Sequence, residues 1–336
     1  MPSASPAVTD SVRAFWVAAP GIGEIRPEAL PPPSADDVVV RALYSGISRG
    51  TEALVFRGRV PPSEYERMRA PFQSGTFPAP IKYGYASVGV VEHGPRELVN
   101  RHVFALYPHQ TRYAVSAASV HIIPAGIPPQ RAVLAANLET AINGLWDASP
   151  RIGDRLVVIG AGTVGSLAAW LGGRIHGCDV TLVDVNPTRA RIAGALGVRF
   201  SGPDTAPDGA DVVIHASGSA AGLDLALRVA GFEATVVELS WYGDQVVPVP
   251  LGRAFHARRL TIRSSQVGSV AESQRARWDA RRRMAFALAS LSDPALDALI
   301  TGESEFESLP RVMAELADGT LDALCHRVRY DDKRKT

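Results

Sequence analysis

Residues 155–173 read RLVVIGAGTVGSLAAWLGG. The apolar run 155–159 predicts a buried strand, Gly160-Ala-Gly162-Thr163-Val164-Gly165 follows at once, and the uncharged stretch 163–172 predicts a helix. A GxGxxG string alone carries little information. Set between a strand and a helix, each glycine has a purpose: a tight turn, close approach of the backbone to a pyrophosphate, and packing of helix on sheet. The helix start adds free N–H groups and the positive end of its dipole, both suited to phosphate. The stretch 156–173 is almost wholly uncharged and long enough to suggest a membrane span, but its five glycines and the adjoining Asp154 and Arg155 favour a strand–turn–helix.

Working outward, residues 180–183 predict the next strand, and Asp184 stands at its end, 19 residues after Gly165. An acid there receives the adenosine ribose 2′-hydroxyl and repels a 2′-phosphate, which favours NAD(H) over NADP(H). Asn186 then reads as the N-cap of a helix over 187–196 with Pro187 at its first position. Arg189 and Arg191 in that helix could weaken the preference for NAD(H), but neither immediately follows the acid. Further strands are predicted at 211–215, 234–239 and 260–263, with a helix at 223–229. This alternation predicts a doubly wound parallel sheet. The ends of its later strands, Ala216-Ser217-Gly218 and Leu239-Ser240-Trp241, are expected to contact the cofactor, with Trp241-Tyr242 walling the nicotinamide or substrate pocket. The competing reading is a glycine-rich turn that binds nothing.

Before Gln130 the chain has a different texture. Short β-rich runs at 37–44, 87–91, 102–106 and 111–115 are broken by glycine and proline, and no long helical period occurs, as in a small β-domain. Residues 132–146 predict a helix; after Val270 the chain turns helical again at 271–290 and 309–317, then ends in a β-like run at 325–330 that is expected to pack on the first domain. The 336 residues carry 35 basic and 34 acidic side chains, a net +1, with 46% hydrophobic and 21% charged residues, as in an ordinary globular protein of two domains. Near-neutrality argues against a nucleic-acid or membrane-surface partner, since both require a basic field. Two cysteines, Cys178 and Cys325, exclude a disulfide framework and a four-cysteine zinc site, and fit a reducing, cytoplasmic setting. The opening MPSASPAVTDSVRAFW shows no apolar signal segment. Arginine supplies nearly all the positive charge, and no function is drawn from that.

A β-rich first part, a central dinucleotide unit and a returning tail resemble the medium-chain dehydrogenase/reductase superfamily over nearly the whole chain. The family's CGICGTD-like stretch is matched by Ser45-Gly-Ile-Ser48-Arg49-Gly-Thr51-Glu52, its Gly-His-Glu by Gly84-Tyr85-Ala86, and VDVNPTRARIAGALG is similar to its segment after the second strand. The resemblance implies an α/β fold in which a Rossmann sheet is inserted in a GroES-like β-barrel domain. It divides the chain into residues 1–132, 133–267 and a C-terminal segment, 268–336, that returns to the catalytic domain. It also implies a homodimer. The zinc-ligand positions become Ser48, Tyr85 and Ala136 or Asn137, a poor donor set for zinc, which takes thiolate, imidazole or carboxylate. No metal ligand is therefore assigned. Within the family, SGIS-x-GTE followed by RG-x-x-P looks most like the branch containing bacteriochlorophyllide a dehydrogenase, which oxidises a secondary hydroxyl with NAD.

Without zinc, the charge that builds on a carbonyl oxygen during hydride transfer must be met by hydrogen-bond donors and a proton. Tyr85 is the candidate acid/base and Ser48 a second donor; packing into the vacated metal pocket, and capping of the local backbone, are the competing readings. Thr51 or Thr140 takes the hydroxyl that relays protons or touches the nicotinamide in relatives. Arg49 is a candidate for an oxyanion or substrate carboxylate, with Glu52 to orient it. A Tyr85–Lys82 pair is disfavoured, because residues three apart in a strand face opposite ways. His109, in the Tyr107-Pro-His-Gln110 turn, could reach the cleft, with core or surface the simpler reading. The run Arg275, Arg277, Arg281, Arg282 and Arg283 reads as a solvated face or, less simply, as a lure for an acidic substrate. The expected activity is NAD(H)-dependent, zinc-independent hydride transfer on a secondary alcohol or ketone, with a small-molecule substrate that is large or anionic. The alternatives are a zinc-free quinone or enoyl double-bond reductase and a silent dinucleotide-binding sensor or scaffold.

Overall fold

The computed structural model describes residues 12–330, so the reading of the first residues lies outside it. The apolar run behind Gly160 forms the centre of a six-stranded parallel sheet. Its strands lie in the order Arg199–Ser201, Asp179–Val183, Arg155–Ile159, Ala210–His215, Ala230–Glu238, Thr261–Ser264. This order, which reverses at the Arg155–Ile159 strand, is that of a Rossmann sheet. Leu156, Val158, Leu182 and Ile214 are fully buried, as expected of strands covered on both faces. Helix Thr163–Gly172 packs on this sheet, and helix Ala135–Ala148 packs against that helix. Two connections depart from strand–helix alternation: residues 202–209 carry the chain to the Ala210–His215 strand with only the short turn Pro203–Thr205, and residues 239–260 reach Thr261–Ser264 with only the five-residue π turn Leu251–Phe255.

The β-rich part is built on the twelve-residue strand Asp37–Ser48, longer than the predicted 37–44 because SGIS stays extended. It pairs antiparallel with Ser87–His93 and Arg112–Ser116. The tail returns to it as expected: Cys325–Arg329 pairs antiparallel with its far half, Cys325 opposite Ser48. A second, four-stranded sheet contains Val12–Ala19 and Ile22–Glu28, which the sequence reading missed. The architecture is α/β, a Rossmann sheet combined with a GroES-like β-domain.

The helical parts differ from expectation in several places. Residues 49–56 form a helix, Arg49–Phe56, too short to show a period. The predicted 271–290 helix is cut to Ala280–Ser290, capped by Asp279, whose side chain accepts from the Arg282 N–H. Arg283 does not belong to a solvated face. It is 2% exposed, ion-paired with Glu139 at 3.0 Å, and bonded to Asn143 Oδ1 at 2.5 Å, which fastens this helix to Ala135–Ala148. No helix among the described residues is long and apolar enough to cross a membrane.

Candidate active site

The two sheets meet at a cleft of about 210 Å³. Ser48, Arg49 and Thr51 line one wall, Gly162, Thr163 and Val164 the other; Ala216, Ser217, Leu239, Ser240 and Trp241 close one end, and Asn137, Ala323 and Leu324 complete it. Most of the residues singled out from sequence, which span nearly two hundred positions, thus face one space.

The glycine-rich wall has the form a dinucleotide requires. Gly160 sits at φ +103°, and a Cβ there would lie 2.6 Å from the Ser217 nitrogen; at Gly165 it would lie 2.0 Å from the Gly160 carbonyl oxygen. Both glycines are needed by the protein itself. Gly162 differs: a Cβ there would meet no protein atom within 4 Å, so the room beside it is left for something else. Gly162 also starts helix Thr163–Gly172 with no side-chain cap, so the first N–H groups lack the usual protein acceptor. Asp184 stands at the strand end, half-buried, held by the Ala161 N–H at 2.7 Å and the Asn186 N–H at 2.8 Å. Asn186 caps the next turn, accepting from the Thr188 N–H at 3.0 Å. Donors, open cradle and acid together fit a nicotinamide dinucleotide.

The opposite wall rests on buried side chains. Glu52, 3% exposed, accepts from the Ser48 N–H at 2.8 Å and pairs with His109 Nε2 at 2.8 Å. The other ring nitrogen of His109 meets Ser45 Oγ at 2.7 Å, and Ser45 meets the Tyr330 hydroxyl at 2.9 Å. Asn137 Nδ2 donates to Ser48 Oγ at 3.3 Å. Tyr85, half-buried at the edge of this network, stacks edge-on to Tyr83 with ring centroids 6.0 Å apart. Burial, together with the Glu52 charge, pushes its phenol up to about 12, against the opposing effect of the Ser48 and Thr51 hydroxyls. Sequence reading named Tyr85, Ser48 and Asn137 but missed the support beneath them, whose members lie up to 285 residues apart.

Several assigned roles move. Glu52 does not orient Arg49; Arg49 Nη1 instead reaches Asp322 Oδ1 at 3.1 Å. Arg189 also binds Asp322, and the Asn186 side-chain amide donates to its other oxygen at 3.1 Å. Lys82 turns from Tyr85 and bonds Glu28 and Gln110, each at 2.7 Å. Thr140 does not line the cleft; its hydroxyl donates to the Ala136 carbonyl one helical turn back at 3.0 Å. A further cluster had no sequence signal: His215, fully buried, bridges Glu238 at 2.7 Å and the Ser217 hydroxyl at 2.6 Å, while the Tyr242 hydroxyl donates to Glu238 at 3.1 Å. Burial works against ionisation of Glu238, but hydrogen bonds from His215 and Ser240 hold it below the usual carboxylate range. This cluster ties down the Ser217 and Ser240 turns that face the cofactor cleft.

The aligned zinc-ligand positions present a hydroxyl, a phenol and an amide, a donor set that does not fit zinc. Cys325 lies close by in register with Ser48, yet burial pushes its thiol up to about 12, away from the thiolate a metal takes. Among the described residues no group of three or more His, Cys, Asp or Glu is arranged to hold a metal.

No protein-family model matches the chain. It is 27% identical over 277 residues to the D-guloside 3-dehydrogenase of Escherichia coli (strain K12), covering 74% of this chain and 79% of that protein. It is 31% identical over 215 residues to the 2-desacetyl-2-hydroxyethyl bacteriochlorophyllide A dehydrogenase of Rhodobacter capsulatus, covering 58% and 62%. Among solved structures, a Sinorhizobium meliloti 1021 protein provisionally described as a zinc-binding dehydrogenase, bound to NADP, superposes with a TM-score of 0.75. It shares 18% identity over 95% of this chain and 99% of that one. With its Rossmann sheet, returning tail and these relatives, the chain is similar to the medium-chain dehydrogenases and reductases, and it is an oxidoreductase.

Proposed function

We propose that the protein transfers hydride between NAD(H) and a secondary alcohol/ketone couple on a hydroxyl-rich substrate, without zinc. The observation that supports this reading is the cleft itself, lined by the open Gly162 cradle together with Ser48 and Thr51, the hydroxyls that interact with the Tyr85 phenol. The curated relatives point the same way: one is a D-guloside 3-dehydrogenase and another a 2-dehydro-3-deoxy-L-galactonate 5-dehydrogenase. The preference for NAD(H) rests on Asp184, whose carboxylate would repel a 2′-phosphate.

A bound nicotinamide supplies or accepts the hydride. Tyr85 holds the proton: a phenol raised to about 12 stays protonated near neutral pH and can donate to an oxygen as it becomes an alkoxide. Ser48, held by Asn137, and Thr51 offer further hydroxyls to that oxygen. In the oxidation direction the same phenol must first lose its proton, so oxidation gains as pH rises toward that value. The Glu52–His109–Ser45–Tyr330 chain fixes this wall from beneath.

On this reading residues 1–132 and 268–336 form the substrate domain and 133–267 the nucleotide domain. The protein is taken as a cytoplasmic homodimer. The outer edge of strand Thr261–Ser264, the last of its sheet, offers a place for partner pairing, and Cys178 and Cys325 are unpaired. The test is a panel of glycosides, aldonates and ring-bearing secondary alcohols with NAD⁺, followed by NADH absorbance. Turnover of at least one class supports the reading. Turnover confined to quinones or enones would replace it with double-bond reduction.

A further inference from the structure

Asp322 lies in the turn before the last strand, and the next two residues, Ala323 and Leu324, line the cofactor cleft. Its carboxylate gathers groups from both halves of the molecule. Arg49 comes from the start of the Arg49–Phe56 helix, while Arg189 and the Asn186 amide come from the turn just after Asp184. Arg189 is 8% exposed, so its guanidinium is not a roaming surface charge but one fixed on this acid. Exposed ion pairs contribute little to stability, and Asp322 is about half exposed, with 48% of its side-chain surface accessible. Its consequence lies instead in the charge it presents beside the cleft.

We propose that Asp322 is a cofactor-specificity residue acting against NADP(H). A 2′-phosphate carries a charge near −2 and seeks a guanidinium for paired hydrogen bonds. Arg189, five residues beyond Asp184, is one of two arginines the sequence offers for that purpose, with Arg191, and it is the buried one. Asp322 occupies it and adds a second carboxylate to the one at Asp184. Arg189 thus serves as a tie between the nucleotide domain and the tail, and not as a phosphate receptor. This inference rests on the reading of the cleft as a dinucleotide site.

The experiment is calorimetric titration of the full-length protein with NADH and with NADPH, for wild type, Asp322→Asn, Asp322→Glu, and Asp322→Asn combined with Arg189→Ala. Asp322→Asn is expected to tighten NADPH about tenfold while NADH stays within about twofold. Adding Arg189→Ala should remove that gain, and Asp322→Glu should keep the wild-type ratio. Unchanged NADPH affinity in Asp322→Asn, or equal shifts for both cofactors, would overturn the proposal. Melting curves of the variants separate loss of fold from loss of discrimination. A wild-type preference for NADPH would count against the Asp184 reading, while the change from wild type to Asp322→Asn still decides the role of Asp322.

Discussion

The two walls of the cleft hold their polar groups in opposite ways. The glycine-rich wall presents backbone: the open face of Gly162, uncapped helix N–H groups, and Asp184 clamped by two main-chain donors. The Ser45–Glu52 wall rests on buried side chains, Ser45, Glu52 and His109, that are hydrogen-bonded to one another. One wall is rigid because its backbone has no other shape to take; the other because every buried polar group depends on a partner elsewhere in the chain. Damage to the first should therefore be local and steric. Damage to the second should spread through the network.

The largest expected effect separates two glycines of one turn. Gly165→Val puts side-chain atoms into the Gly160 carbonyl, so loss of NADH binding and a strongly lowered melting temperature are expected. Gly162→Ala meets no protein atom, so it should melt like wild type yet bind NADH roughly tenfold or more weaker, read by calorimetry. Equal behaviour of the two would erase the distinction between a structural and a ligand-facing glycine.

On the other wall, Tyr85→Phe keeps the packing and removes the proton. It should lower kcat about 10²- to 10⁴-fold with unchanged NADH affinity. Full activity in this variant would leave the ring as filler. Glu52→Gln replaces the carboxylate beside His109 with an amide, weakens a buried hydrogen bond, and should destabilise the fold by about 1–3 kcal/mol in urea titration. It should also lower the Tyr85 pKa, because the Glu52 charge is one of the influences that raise it, and so shift the alkaline limb of the pH–rate profile to lower pH.

The contrast also explains what was legible in the sequence. The 155–159 strand and the 163–172 helix were both placed at their observed limits, because GxGxxG after an apolar strand has few structural solutions. The strand Val12–Ala19 was not seen, since VRAFWVAA carries no clean alternation. The residues facing the cleft were largely legible, because glycine spacing and the SGIS-x-GTE match mark them. Their supports were not. Nothing local in YPHQ says that His109 reaches Glu52 across 57 residues, or that His215 and Glu238 meet side by side on neighbouring strands. Asp322, in an ordinary Asp-Gly-Thr-Leu-Asp turn, became visible only when the tail folded back onto the first domain.

The smallest effect is a control outside both walls. Burial and the nearby Arg281 push His121, in strand Val120–Ile122, down to about 4. A group whose folded pKa lies below its unfolded value contributes stability above about pH 6.5, lost as pH falls toward 4. Relative to His121→Gln, wild type should lose on the order of 1 kcal/mol across that window, with cofactor binding unaffected at neutral pH.

The proposed function has a phenol and hydroxyls, without zinc, at the positions that align with the zinc ligands of alcohol dehydrogenases. The most direct measurement is elemental analysis of protein purified without added metal or chelator and shown to bind NADH. Zinc far below one atom per chain is expected; one tightly held zinc per chain would refute a metal-free mechanism.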